Sequence, residues 1–65
     1  MTQQHREHLR LLISVEEAAQ ILGIGRTAAY ELVRKRQLKS VKIGRTRRVV
    51  VSSLNEYIMQ LLNEE

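Results

Sequence analysis

Gly23-Ile24-Gly25 separates two stretches whose apolar residues recur with helical period, so a turn of only three residues must set two helices side by side. On its N-terminal side, Ser14-Val15-Glu16-Glu17 is a capping-box pattern, with Ser14 accepting an early backbone N–H and Glu17 reaching back. Val15, Ala18, Ala19 and Leu22 then follow at i, i+3, i+4 and i+7, with Glu16, Glu17 and Gln20 on the other side. Gly23 tolerates the left-handed conformation that ends many helices, so the first helix is expected from Val15 to Leu22. The second is expected from Arg26 to Lys35. Its Ala29, Leu32 and Val33 share a face with Ala28 on the border, and Arg26, Thr27, Tyr30, Glu31 and Arg34 cover the opposite one. Ala18, Ala19, Ala28 and Ala29 are small enough for close approach across the turn. This stretch by itself fits a helix-turn-helix or an ordinary hairpin of a helical bundle.

The remainder narrows the choice. Leu38 is an isolated apolar residue placed to plug the corner after the second helix. Val41-Lys42-Ile43 alternates as a half-buried strand would, with Val41 and Ile43 inward and Lys42 outward. Gly44-Arg45-Thr46-Arg47 reads as the turn and Arg48-Val49-Val50-Val51 as a second β-branched run. A two-stranded hairpin is marginal alone, so it must dock on the helices as a wing. Ser52 and Ser53 are N-cap candidates, Ser53 pairing with Glu56 as a capping box, and Leu54, Tyr57, Ile58, Leu61 and Leu62 form the stripe of a third helix that closes the core. Met59 points off that stripe. The expected fold is mainly α with a small β-hairpin, a winged helix-turn-helix over residues 12–65, with residues 1–11 as a flexible arm.

Sixty-five residues allow one domain with a small core, and the absence of Cys leaves aliphatic packing to hold it. That absence also suits a reducing cytosol. The polar N-terminus has no signal-peptide character and no apolar run approaches a bilayer span, which points to a cytoplasmic protein with no membrane partner. Charge is segregated. Nine of the 11 Lys and Arg lie between Arg26 and Arg48 with Glu31 as their single acid, whereas the rest of the chain sets six Glu against Arg6 and Arg10. Such a distribution is that of a polyanion-binding face.

Major-groove recognition requires side chains that meet base edges, flanked by cations for phosphates. Arg26 and Thr27 lie in the exposed first half of the second helix, the half that reaches bases. Tyr30 offers a hydroxyl to a phosphate or packs against the wing. Arg34 and Lys35 follow one turn on, and Glu31 is placed to pair with Lys35. Arg45, Thr46 and Arg47 at the wing tip suit a minor groove, whose negative potential attracts guanidinium groups. Lys42 and Arg48 are expected on the same side as the tip, as phosphate contacts with Lys39. Double-stranded DNA is thus the expected partner, with the helix as the specificity element.

Other classes lack the parts. The chain has no Cys and no Asp, and both His lie in the arm, so no nucleophile and base pair can be assembled. His5 and His8, with Glu7, are a poor metal set, and no cofactor or small-molecule substrate is implied. Tyr30 and Tyr57 are the only aromatic residues, too few for an RNA stacking platform.

Leu12-Ile13-Ser14-Val15-Glu16-Glu17-Ala18-Ala19, Leu22-Gly23-Ile24, Tyr30-Glu31-Leu32-Val33 and Val41-Lys42-Ile43-Gly44-Arg45 together resemble the excisionase family of MerR-like winged helix-turn-helix proteins. The resemblance covers about Leu12 to Leu62. It implies a protein that binds DNA sites, often side by side with cooperative self-association, bends them, and directs a tyrosine integrase toward excision. The same domain also serves small transcriptional regulators of phages and mobile elements. Three positions depart from the family pattern: Gly25 stands where Ser or Thr usually caps the second helix, Arg36 where Gly is frequent, and Lys39 where Pro is common. A left-handed backbone at Arg36 costs a non-Gly residue about 1 kcal/mol.

Overall fold

The computed structural model describes residues 10–64. The order of elements is β1 (Leu12–Ser14), α1 (Val15–Leu22), α2 (Arg26–Arg34), β2 (Ser40–Ile43), β3 (Thr46–Val50) and α3 (Val51–Asn63). The three strands form one antiparallel sheet in the order β1-β3-β2. The architecture is the expected winged helix-turn-helix, mainly α, with one strand added. Leu12-Ile13-Ser14 is too short to show a period of its own. It becomes a strand by pairing with β3, with Leu12 opposite Val50, Ile13 opposite Val49 and Ser14 opposite Arg48.

α1 begins where its capping box requires. Ser14 Oγ accepts the Glu17 N–H at 3.0 Å and Glu17 Oε1 accepts the Ser14 N–H at 3.1 Å. That backbone donor, and then the Arg10 guanidinium, hold the Glu17 carboxyl below its ordinary pKa. α1 ends in a Schellman motif at Gly23, where φ is 70°. There the Gly23 N–H donates to Gln20 O at 3.1 Å and the Ile24 N–H to Ala19 O at 3.0 Å. α2 ends with the same pair of bonds: the Arg36 N–H donates to Val33 O at 3.0 Å and the Gln37 N–H to Leu32 O at 2.9 Å. Its left-handed residue is Arg36, at φ 66°, the one non-Gly residue with positive φ among the described residues.

The core is aliphatic: Ile13, Val15, Ala18, Ala19, Ala29, Leu38, Val49 and Leu54 are buried, with Leu22, Leu32, Val33, Val51, Tyr57 and Ile58 packed around them. Leu38 plugs the corner after α2 as expected, at 1% exposure. Ala29 alone supplies the close approach of α2, since Ala28 is exposed.

Three expectations are corrected in the C-terminal half. The hairpin turn is two residues, Gly44-Arg45, because Thr46 already pairs with Ile43. Gly44 takes φ 63° at the first turn position, the arrangement that lets a tight turn follow the strand twist. Second, α3 begins at Val51, with Val50 as N-cap, so Ser53 is not a cap and Val51 is not strand. Ser53 is buried, donates its hydroxyl to Val50 O at 2.7 Å and accepts the Lys39 N–H at 3.0 Å, tying the start of the wing to α3. A buried hydroxyl with two good partners outweighs a local capping preference. Third, Leu61 and Leu62 are exposed, because the last turns of α3 run past the small core that Leu54 seals.

Leu11, read as the end of the arm, offers its carbonyl to the Val51 N–H at 2.9 Å, and Arg10 pairs with Glu17 at 2.8 Å. His5, Glu7 and His8 lie outside the described residues, as does most of the arm.

Candidate nucleic-acid interface

α2 presents Arg26, Thr27, Tyr30 and Arg34 to solvent because Ala29 fixes its opposite face in the core. Arg26, in the first turn, is held from two sides. Glu16 of α1 lies 3.4 Å from its Nε, and its guanidinium stands 5.9 Å above the Tyr30 ring. Both contacts are exposed, so they bias the side chain without burying it. Arg34 pairs with Glu31, three residues earlier, in place of the expected pair between Glu31 and Lys35. Position i+3 lies as near Glu31 on the helix surface as i+4 does, and Lys35 has already left the helix.

The hairpin differs from expectation in which face carries which cation. Antiparallel partners share a face, and residues two apart along a strand share it as well. The core-side face is marked by Val49 and Ile13, which pair and are both buried. Ser40 opposes Val49, and Lys42 opposes Arg47, so Lys42 and Arg47 lie on the core-side face, beyond the end of the core. Arg47 Nη1 donates to Ser40 Oγ at 2.8 Å along that face. Val41 and Ile43 lie on the outer face with Thr46 and Arg48, and are 41% and 57% exposed. The expected inward Val41 and Ile43 are therefore corrected, as is the grouping of Lys42 with Arg48. Apolar letters suggested the parity of β2, but the register against β3 decides it. Arg48 is half-buried, opposite both Val41 and Ser14. Arg45 occupies the turn, fully outside the core.

Between α2 and the hairpin runs an open cleft of about 830 Å³. Tyr30, Arg34 and Arg36 line it from the helix side and Lys39, Ser40 and Arg47 from the hairpin side, over a floor that includes Leu38. Tyr30 is 39% exposed, with its ring on the cleft wall. Lys35 and Lys39 are exposed on either side of Leu38, and the Lys39 backbone is pinned by its bonds to Ser53 and Val50. Among the described residues, the ion pairs are Arg10 with Glu17, Arg26 with Glu16 and Arg34 with Glu31, so Lys35, Arg36, Lys39, Lys42, Arg45, Arg47 and Arg48 have no acid in bridging distance. Seven unneutralised cations on the connection after α2 and on the hairpin make a strongly positive surface.

Four residues that build or support this surface escape a reading by motif. Glu16 is signalled only as a surface acid of α1, and Ser40 only as a residue before a strand. Ser53 imitates a cap. Arg36 does carry a signal, a cation at a place where a helix closes, but its position in the cleft depends on the fold. Among the described residues, no group of three or more His, Cys, Asp and Glu is placed to hold a metal, and no helix is long and apolar enough to cross a membrane.

Residues 12–61 match the model of a helix-turn-helix domain family. A probable excisionase of Saccharopolyspora erythraea is 43% identical over 56 residues, covering 86% of this chain and 57% of the relative. An excisionase of Streptomyces ambofaciens is 38% identical over 53 residues, covering 82% of this chain and 86% of the relative. The chain thus spans little more than half the length of the first relative. No solved structure gives a significant match. With the helix-turn-helix, the cationic hairpin and these relatives in agreement, the chain belongs to the excisionase family of helix-turn-helix DNA-binding proteins.

Proposed function

We propose that the protein acts as an excisionase, an architectural factor without catalysis that binds adjacent duplex sites, bends them, and directs a tyrosine integrase toward excision. The observation that carries this reading is the convergence of α2 and the hairpin on one cationic cleft, with Arg34 on one wall and Arg47 on the other. α2 enters the major groove, where Arg26 takes a guanine edge and Thr27 a thymine methyl or a phosphate. Tyr30 and Arg34 follow along the groove wall. Arg45 and Thr46 reach the neighbouring minor groove while Arg47 faces the cleft, and Lys35, Lys39 and, from opposite faces of the hairpin, Lys42 and Arg48 contact phosphates. A single module of this size buries limited surface, so useful affinity calls for several copies side by side. Wings in successive minor grooves then favour curved DNA. A cytoplasmic setting, in a bacterium or under phage control, follows from that role.

Circular-permutation gel shifts with increasing protein are the test, coupled to an excision assay with a tyrosine integrase. Bending that grows with the number of bound copies, and stimulated excision, are expected, with a log–log salt slope of binding of roughly −5. One non-cooperative species on unbent DNA, without effect on recombination, would move the assignment to a transcriptional regulator. A salt slope near zero would remove the cationic face from the account altogether.

A further inference from the structure

We infer that the cleft between α2 and the hairpin is a seat for one backbone phosphate of duplex DNA, and that Arg36 is its principal ligand. The inference rests on the DNA-binding reading above and adds to it a residue that neither the recognition-helix pattern nor the wing tip contains.

Two independent observations meet at Arg36. The first is backbone. Arg36 stands at φ 66°, where Cβ crowds the following carbonyl and glycine is strongly preferred. The conformation is imposed from both sides, by the bonds of the Arg36 and Gln37 N–H groups to α2 and by Leu38, which is buried immediately afterwards. Strain that the surroundings enforce is characteristic of functional positions. The second is place. The residue lines the cleft beside Arg34, facing the hairpin wall of Ser40 and Arg47. Arg34 has Glu31 as a partner, whereas Arg36 has no acid in bridging distance among the described residues. Arg47 is already oriented by its bond to Ser40 Oγ. A guanidinium fork fits two phosphate oxygens, and a second cation across the cleft completes the cradle. A seat of this kind reads no bases. It fixes the depth at which α2 sits in the groove.

The test compares wild type with Arg36→Gly, Arg36→Gln and Arg36→Lys on a short duplex of arbitrary sequence and on the site found by footprinting. Glycine suits that backbone, so R36G folds, with a thermal midpoint higher by up to about 8 °C. It should lose about fivefold to tenfold in affinity near 0.1 M salt on both duplexes, and its salt slope should shrink by about one. R36Q keeps the backbone cost and lacks the charge, so it should bind as R36G does at the wild-type midpoint. R36K should keep most of the slope. Unchanged affinity and slope in R36G, or a loss confined to the footprinted site, would overturn the phosphate seat while leaving DNA binding intact. Wild type that binds neither duplex would overturn the DNA-binding reading, and the seat with it.

Discussion

α1 and α2 are nearly equal in length, eight and nine residues, and close with the same Schellman bonds, yet their ends follow different rules. α1 opens on a complete capping box and ends on glycine. α2 opens on Gly25, which offers no side-chain cap, and ends on a left-handed arginine. The apolar residue after each closure differs too. Ile24 directly follows Gly23 and is 36% exposed, whereas exposed Gln37 follows Arg36 and the apolar role passes to Leu38 at 1%. The ends of α1 are thus fixed by its own local sequence, although Val15, Ala18 and Ala19 also anchor it in the core. α2 is held by tertiary contacts, and its ends are free to carry chemistry. That difference is expected of a helix-turn-helix, in which one helix supports and the other meets the ligand.

The largest effect should separate the two closures. Leu38→Ala removes a fully buried side chain and should cost about 2–5 kcal/mol, a large part of what so small a domain has. Ile24→Ala, at the corresponding corner of α1, removes a side chain already partly in water and should cost about 1 kcal/mol or less. Urea denaturation of the two variants measures both. Equal losses would mean that the closures are supported alike and that α2 is not the tertiary-dependent helix.

Next in size is the capping box. Ser14→Ala should cost about 0.5–2 kcal/mol. The box also carries a pH signature. The Glu17 carboxyl is held below its ordinary pKa of 4.5 by the Ser14 N–H and then by Arg10. A depressed carboxylate stabilises above its unfolded pKa, and that contribution fades as pH falls through the folded value. Stability should therefore decline from about pH 4.5 downward, and Glu17→Gln should flatten part of that decline. An unchanged acid limb in the glutamine variant would show that the bond from Ser14 N–H does not persist in solution.

How much of this was legible beforehand divides along the same line. α1 was readable to the residue, because Ser14, Glu17 and Gly23 act on backbone groups within one turn of themselves. α2 was readable from apolar spacing to within one residue, Lys35 being its C-cap, and Leu38 was readable as an isolated apolar residue at the corner. What depended on partners distant in sequence was not. β1 exists only through β3, Ser53 is claimed by Lys39 fourteen residues away, and the faces of Lys42 and Arg48 follow from register. In the candidate interface the cation-rich segment was plain from charge alone. The cleft was not, since it requires the end of α2 and the hairpin to line one space, Arg36 on one side and Arg47 on the other. The stripe of α3 misled at Leu61 and Leu62, because periodicity reports a face and not how far the core extends beneath it.

Exchanging the closing residues tests the comparison from the other side. Gly23→Arg copies the end of α2 onto α1, at φ 70° and with nothing within 4 Å of an added Cβ. The cost should be backbone strain alone, about 1 kcal/mol. Arginine there adds a cation outside the cleft, so affinity for DNA should change far less than in R36G. A gain in affinity from Gly23→Arg as large as the loss in R36G would mean that total charge, and not position, governs binding.

The smallest effect lies at the start of α2. Gly25 is extended at φ −73° and ψ 163°, a conformation open to any residue, and nothing lies within 4 Å of an added Cβ. Its carbonyl already accepts the Ala29 N–H at 3.1 Å, so the first turn is formed, and only the side-chain acceptor for the Thr27 or Ala28 N–H is missing. Gly25→Ser supplies it and should raise stability by a few tenths of a kcal/mol, about 0.3–0.5, seen as a higher urea midpoint at unchanged slope. Ser14→Ala subtracts at α1 what Gly25→Ser adds at α2, and the gain should be the smaller because glycine is itself a tolerable cap. The sites are independent enough that the double variant should show the sum of the two changes. A Gly25→Ser variant no more stable than wild type would indicate that α2 does not respond to local capping, so that its packing through Ala29, Leu32 and Val33 sets its stability alone.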